Sequence, residues 1–273
     1  MKTAVITGAS SGIGKEIARI LSEEYNNKNG RWLSRIEKLY LLARRKELLE
    51  ELQKELGGNH SQIPSEIIVC DVSKTEDIAE FAKKLEEDKA DIKLLVNSAG
   101  FGKNGDFAEI PLEENLGMID TNCRGLVAMT HICLKYMGDG AKILNISSVA
   151  GFAPLARFAI YGATKAFVSS FSVGLAAELE KERRNITVTI CAPGSVETEF
   201  HKIARGNSGI VKKLYSKKAP VRAVAELALK DTINGKLFSS FGFGAKFARI
   251  FGGIIPKMAF ARFSYNNIYS TKK

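Results

Sequence analysis

Four side chains have the types and spacing for proton chemistry. Tyr161 and Lys165 stand four residues apart in Tyr161-Gly162-Ala163-Thr164-Lys165, within a stretch of helical character. At that spacing both project from one helix face, about one turn apart. A free phenol titrates near 10, too high for good proton transfer at neutrality, and a nearby cation lowers it. Ser148 lies 13 residues before Tyr161, just after the apolar run Leu144-Asn145-Ile146. Asn122 stands in Asp120-Thr121-Asn122-Cys123-Arg124-Gly125. A tyrosine and lysine so spaced, taken alone, are usually a helix-surface pair. The serine, the asparagine and an N-terminal glycine turn make this set different.

That turn reads Thr7-Gly8-Ala9-Ser10-Ser11-Gly12-Ile13-Gly14, between a β-branched run and a helix. Its glycines permit a tight bend and close approach of a pyrophosphate to the backbone. The helix N-terminus adds unpaired N–H donors and a positive dipole end. The spacing is GxxxGxG, not the commoner GxGxxG of dinucleotide sites.

The elements that must position these residues alternate along the chain. Strand-like runs are expected at Thr3–Thr7, Leu39–Ala43, Ile67–Cys70, Leu94–Asn97, Lys142–Ile146 and Thr187–Cys191. Helices are expected at Ile13–Glu24, Lys46–Leu56, Thr75–Glu87, Glu113–Met137 and Tyr161–Lys181. This rhythm predicts an α/β fold, a doubly wound parallel sheet of Rossmann type with ligands at the carboxyl ends of its strands.

Composition narrows the class. The chain has 273 residues, 45% hydrophobic and 26% charged, which excludes a disordered or collagen-like polymer. No apolar window reaches the length of a membrane span. The net charge of +10 is divided unevenly: residues 1–200 hold 25 basic and 28 acidic side chains, residues 201–273 hold 15 and two. The charge therefore marks a C-terminal segment, and no nucleic-acid partner is expected. Cys70, Cys123, Cys133 and Cys191 have no CxxC or metal-ligand spacing, so reduced thiols, no metal site and a cytoplasmic protein are expected.

Together the glycine turn, Asn97-Ser98-Ala99-Gly100, Asn122, Ser148, the Tyr161/Lys165 pair and Pro193-Gly194-Ser195-Val196-Glu197-Thr198 resemble the short-chain dehydrogenase/reductase family, in its single-domain branch. The resemblance covers roughly residues 1–200, with the motifs in family order. Ser98 departs from it, standing where the family usually has a second Asn. The stretch Asn26–Lys38 is longer than usual and reads as a surface turn and short helix.

The resemblance implies hydride transfer between a nicotinamide and a carbonyl or alcohol carbon. Tyr161 would be the general acid/base, and Lys165 would lower its pKa and bond the nicotinamide ribose. Ser148 would hold the substrate oxygen, leaving Ser147 to the loop backbone. Asn122 would hold a water linking Lys165 to solvent. Cofactor contacts would come from Gly8, Ser10, Ser11, Gly12, Ile13 and Gly14 at the pyrophosphate. Asp71 and Val72 would serve the adenine, Asn97, Ala99 and Gly100 the adenosine ribose side, and Pro193, Gly194, Val196 and Thr198 the nicotinamide. Asp71 also reads as a residue of the helix start, although Ser73 or Thr75 is better placed to cap.

The second strand ends Leu41-Leu42-Ala43-Arg44-Arg45. Enzymes that use NAD hold the ribose 2′-OH with an acid there. Here the position is Ala43, and Arg44 can pair with a 2′-phosphate, with Arg45 stacking on adenine or adding charge. NADP(H) is the expected cofactor.

The expected organisation is a catalytic domain over 1–235, with a substrate lid at 200–220 and a helix at Val221–Thr232, then a basic, phenylalanine-rich amphipathic extension over 236–273. In that extension Phe247, Ile250, Phe251, Ile254 and Met258 recur at helical spacing, with Gly252-Gly253 and Pro256 as breaks. It would pack on its own domain, on the mate in a homodimer or homotetramer, or on an anionic membrane through 236–263. The reading is an NADPH-dependent reductase of a ketone or aldehyde, with a hydrophobic substrate such as a ketosteroid or acyl-chain ketone. The rival is a non-catalytic NADP-binding regulatory or scaffolding protein acting through its tail.

Overall fold

A computed structural model describes residues 1–26, 32–58, 63–205 and 218–267. Seven parallel strands form one sheet in the order β3-β2-β1-β4-β5-β6-β7. They are β1 (Lys2–Thr7), β2 (Lys38–Ala43), β3 (Ser65–Val69), β4 (Asp91–Asn97), β5 (Lys142–Ile146), β6 (Thr187–Cys191) and β7 (Phe238–Ser239). Among the described residues, ten helices connect or follow them: α1 (Gly12–Asn26), α2 (Lys46–Gly58), α3 (Thr75–Glu87), α4 (Leu112–Ile119), α5 (Leu126–Leu134), α6 (Ala159–Lys181), α7 (Phe200–Arg205), α8 (Val221–Ile233), α9 (Phe243–Phe251) and α10 (Lys257–Asn267).

Period-two alternation in the strands sorts their side chains onto two faces. Ala4, Ile6, Leu39, Leu41 and Leu144 join one core with α1, α2 and α8. Val5, Tyr40, Leu42, Ile143 and Val188 join a second core with α3, α5 and α6. β4 carries a bulge: Thr3 pairs with Ile92 but Ala4 with Leu94. The extra residue, Lys93, reverses the alternation, so Ile92 and Leu94 enter opposite cores.

The strand order reverses between β1 and β4, which opens a crevice at their carboxyl ends. The doubly wound sheet expected from the alternation is thus present. Its seventh strand was not anticipated. β7 is two residues long, too short for a period-two signal, and it lies beyond position 235, so the extension begins inside the sheet. The long helix expected over Glu113–Met137 is interrupted: Asp120–Gly125 forms a π-helical turn between α4 and α5. In Asn26–Lys38 a short 3-10 helix spans Leu33–Arg35, while 27–31 lie outside the described residues. Of the expected lid, α7 is described and 206–217 are not.

Candidate active site

The glycine turn is built by backbone conformation. Gly8 and Gly12 have φ of +67° and +58°, a region L side chains rarely adopt. A Cβ on Gly8 would sit 2.8 Å from the Ala99 nitrogen. The turn from β1 is thus pressed against the end of β4. The Thr7 hydroxyl fastens this junction by accepting from both Ser98 N and Ala99 N at 3.1 Å. Gly14 does not line the crevice. A Cβ there would meet Gly8 O at 2.7 Å, so its service is close helix–strand packing.

A buried polar chain aligns the strand ends with α6. Asn97 Nδ2 donates to Asn145 Oδ1 at 2.9 Å, and Asn145 Nδ2 donates to Ser172 Oγ at 2.8 Å. Asn97 also donates to Thr130 Oγ1. This corrects the expectation for Asn97: its side chain points into the sheet, and Ser98, Ala99 and Gly100 line the crevice instead.

α6 carries Tyr161 and Lys165, both buried on its inner face. The Tyr161 ring lies 4.9 Å from that of Phe158 and 5.2 Å from that of Phe200. Lys165 Nζ stands 5.7 Å from the Tyr161 ring centroid and donates to Ile146 O at 2.8 Å. Lys165 is only 6% exposed, and burial pulls its ammonium down to about 8. The same burial pushes the Cys123 and Cys191 thiols up, to about 11 and 12. Ser148 follows β5 and accepts from Ala150 N, at the head of a 3-10 turn. Gly151 lets that turn touch α6, since a Cβ there would meet the Lys165 backbone at 2.6 Å. Ser147 Oγ donates to Lys165 O, so it serves the α6 backbone.

Asn122 lies in the π-helical turn, a distortion often found at functional sites. Its amide is committed inside the protein. Oδ1 accepts from Phe101 N at 3.0 Å, and Nδ2 donates to Phe101 O and Thr164 Oγ1. The side chain thereby positions the loop after β4 against α6. Gly100 completes the packing, since a Cβ there would sit 2.8 Å from Asn122 Oδ1 and 3.5 Å from Lys165 Nζ.

These groups open onto one cleft of about 790 Å³. At one end lie Gly8, Ser10, Ser11, Gly12 and Ile13, with Arg44, Arg45, Asp71 and Val72 beyond. In the middle are Ser148, Tyr161, Lys165, Pro193, Gly194, Val196 and Thr198. The far end is lined by Phe101, Leu155, Phe158, Phe200, Ile203 and Ala204, with Lys103 and Glu114 paired at 2.9 Å.

At the arginine end the side chains differ from expectation. Arg45 pairs with Glu199 at 3.0 Å and donates to Ser10 Oγ at 3.2 Å. Arg44 is exposed, 3.8 Å from Asp71. Asp71 Oδ1 accepts from Ser73 N and Oγ, and these bonds hold its carboxyl below the usual carboxylate range, although burial opposes them. Neither Ser73 nor Thr75 caps α3, whose N-cap is Lys74 with no side-chain cap bond. The far apolar wall was not legible in the sequence, because its residues come from three separate segments with no common spacing.

The cleft fits a dinucleotide. Its first turn takes positive φ at Gly8 and Gly12, α1 starts at that turn, and the turn and Tyr161 line the same cleft. Tyr161 and Lys165 lie together in this cleft. Residues 2–208 match the short chain dehydrogenase family. Sulfoacetaldehyde reductase 2 of Chromohalobacter salexigens is 36% identical over 230 residues, 82% of this chain and 85% of that protein. The NADP-dependent 3-hydroxy acid dehydrogenase of Escherichia coli is 36% identical over 216 residues, 77% of this chain and 80% of that protein. The solved short-chain dehydrogenase from Sphingobium yanoikuyae in complex with NADPH is 29% identical, with TM-score 0.74, covering 95% of this chain and 96% of that one. The chain belongs to the short-chain dehydrogenase family, and is an oxidoreductase acting at a CH–OH or carbonyl carbon.

Proposed function

We propose that this chain is an NADP(H)-dependent carbonyl reductase of an apolar ketone or aldehyde, reversible and working chiefly toward the alcohol. The observation that carries the reading is that Tyr161, packed against Phe158 and Phe200, lines the same cleft as the glycine turn, Ser148 and Lys165. When bound, NADPH supplies the hydride. Tyr161 gives the substrate oxygen its proton, and Ser148, at the same stretch of the cleft, orients that oxygen by a hydrogen bond. The Lys165 cation favours the phenolate that remains. Phe101, Leu155, Phe158, Phe200 and Ile203 exclude water and favour an apolar substrate. The mouth cation Lys103 is occupied by Glu114, which favours an apolar substrate over the anionic ones that the names of the two relatives indicate.

The cofactor choice rests on Ala43, where no acid repels a 2′-phosphate, and on Arg44 and Arg45 at the cleft edge. The E. coli relative and the NADPH-bound Sphingobium structure support it. The catalytic unit is taken as 1–235 with its lid at 200–220, and 236–273 as a C-terminal extension that adds β7 to its sheet. Self-association into a homodimer or homotetramer is supported by exposed Leu112, Leu116 and Ile119 on α4 and Phe167 and Val173 on α6. Four free cysteines support a reducing, cytoplasmic compartment.

The test is a panel of ketones and aldehydes assayed with NADPH and NADH. NADPH should be preferred, and Arg44→Asp should cut that preference about 10- to 100-fold, the worth of a charge-assisted contact. A preference for NADH would overturn the cofactor reading. Absence of turnover across the panel would favour the non-catalytic rival.

A further inference from the structure

Past Asp231 the chain contains no acidic residue, while Lys236, Lys246, Arg249, Lys257, Arg262, Lys272 and Lys273 remain. Two helices, α9 and α10, carry the described part of this stretch. The face of α9 and the bend after it turns its apolar side outward: Phe243 is 84% exposed, Ile254 73% and Met258 66%. Phe247, Ile250 and Phe251 are exposed beside them. The rings of Phe243, Phe247 and Phe251 stack in a row, with centroids 6.4 and 4.4 Å apart. Among the described residues, no carboxylate pairs with Lys246, Arg249, Lys257 or Arg262.

The helices are nonetheless fastened to the body. Gly252 is buried, and a Cβ there would lie 2.6 Å from Phe152 O. Arg249 lies over the Phe238 ring of β7 at 5.1 Å. The Ser264 hydroxyl accepts from Ala156 N at 3.0 Å, and Phe260 packs on the cluster that holds Leu155, Phe158 and Tyr161. One side of the segment is thus anchored at the substrate wall, and the other is an aromatic ridge among unpaired cations.

We propose that this ridge is a foot that docks on an anionic lipid surface, with Phe243, Phe247, Ile250, Phe251, Ile254 and Met258 entering the headgroup layer and Lys246 and Lys257 meeting lipid phosphates. An aromatic and aliphatic face flanked by cations matches that boundary in both polarity and charge. A second copy of the chain matches it poorly, because a two-fold pairing of this face sets like charges against each other. None of the described helices is long and apolar enough to cross a membrane, so docking is peripheral. The inference is independent of the catalytic reading.

The experiment is co-sedimentation of the full chain with vesicles of phosphatidylcholine alone or with about one third phosphatidylserine. Wild type should pellet with the anionic vesicles only and be released by about 0.5 M salt, which screens charges within a few ångströms. Lys246→Gln with Lys257→Gln should weaken binding about 30-fold, each cation contributing a factor near five. Phe247→Ser with Ile250→Ser should abolish pelleting while leaving the melting temperature unchanged. No pelleting of wild type, equal pelleting of the serine variant, or a sizing column showing that those substitutions split a dimer would each overturn the proposal.

Discussion

The two ends of the cleft are built by different means. At the glycine-turn end, backbone decides. Positive φ at Gly8 and Gly12, the Thr7 hydroxyl shared by two N–H groups, and the Asn97–Asn145–Ser172 chain fix the geometry. At the far end, side chains decide. Phe101, the loop pair Leu155 and Phe158, and Phe200 come from three separate segments, backed by Phe260 of the C-terminal extension. The first kind of construction suits a ligand that never varies, the second a ligand that differs between relatives. Tyr161 stands where the two meet, so substitutions on either side of it test the division.

The sharpest test is at the junction. Tyr161→Phe keeps the ring between Phe158 and Phe200 but removes the proton. Turnover should fall about 10²- to 10⁴-fold, the usual worth of general acid catalysis, with NADPH affinity by fluorescence titration unchanged. A loss of cofactor binding instead would show that the ends are not separable.

On the substrate side, Phe200→Ala removes one apolar wall. KM for a bulky apolar ketone should rise about 10- to 100-fold, the value of a lost aromatic contact, while KM for NADPH stays fixed. An equal rise in both would break the comparison.

On the cofactor side, Gly8→Ala forces a side chain into positive φ and toward the Ala99 nitrogen. We expect a loss of at least about 1–2 kcal/mol in urea unfolding, together with weaker NADPH binding. An unchanged midpoint would show that this turn is less constrained than its geometry states.

The smallest effect is in the pH profile. The Lys165 ammonium, held down to about 8 by burial, is charged below that pH and neutral above it. kcat/KM for reduction should decline as pH rises through about 8, because the cation that favours the Tyr161 phenolate is lost. Lys165→Arg should move that limb upward, since a guanidinium keeps its proton. In stability the sign is opposite: the unfolded lysine holds its proton to its ordinary 10.5, so the cost of burying it falls between about pH 8 and that value. Thermal melting across that range checks this.

Strands β1, β5 and β6 and helix α3 were legible because alternation, apolar runs and turn residues are local signals. So were the glycine turn and the Tyr161/Lys165 spacing, each contained in fewer than ten residues. The π-helical turn at Asn122 was not: an inserted residue shifts the apolar face by about 100°, but α5 is apolar nearly all round, so the shift leaves no mark on the pattern. Arg45 was read as a cofactor contact from its place after β2. Its pairing with Glu199 joins positions 154 apart, and nothing in either neighbourhood announces the other.

The charge division at residue 200 could be counted from the sequence, but its arrangement could not. By itself the chain determined the sheet, the glycine turn and the placing of Tyr161 and Lys165 on one helix face, because these arise from short-range spacing and strand periodicity. The tertiary structure decided which amides are free and which are consumed, as at Asn97 and Asn122. It also decided that one face of the C-terminal helices backs the substrate wall while the other points outward. Burial and partnership depend on what distant segments bring to the same place, and no local pattern encodes that.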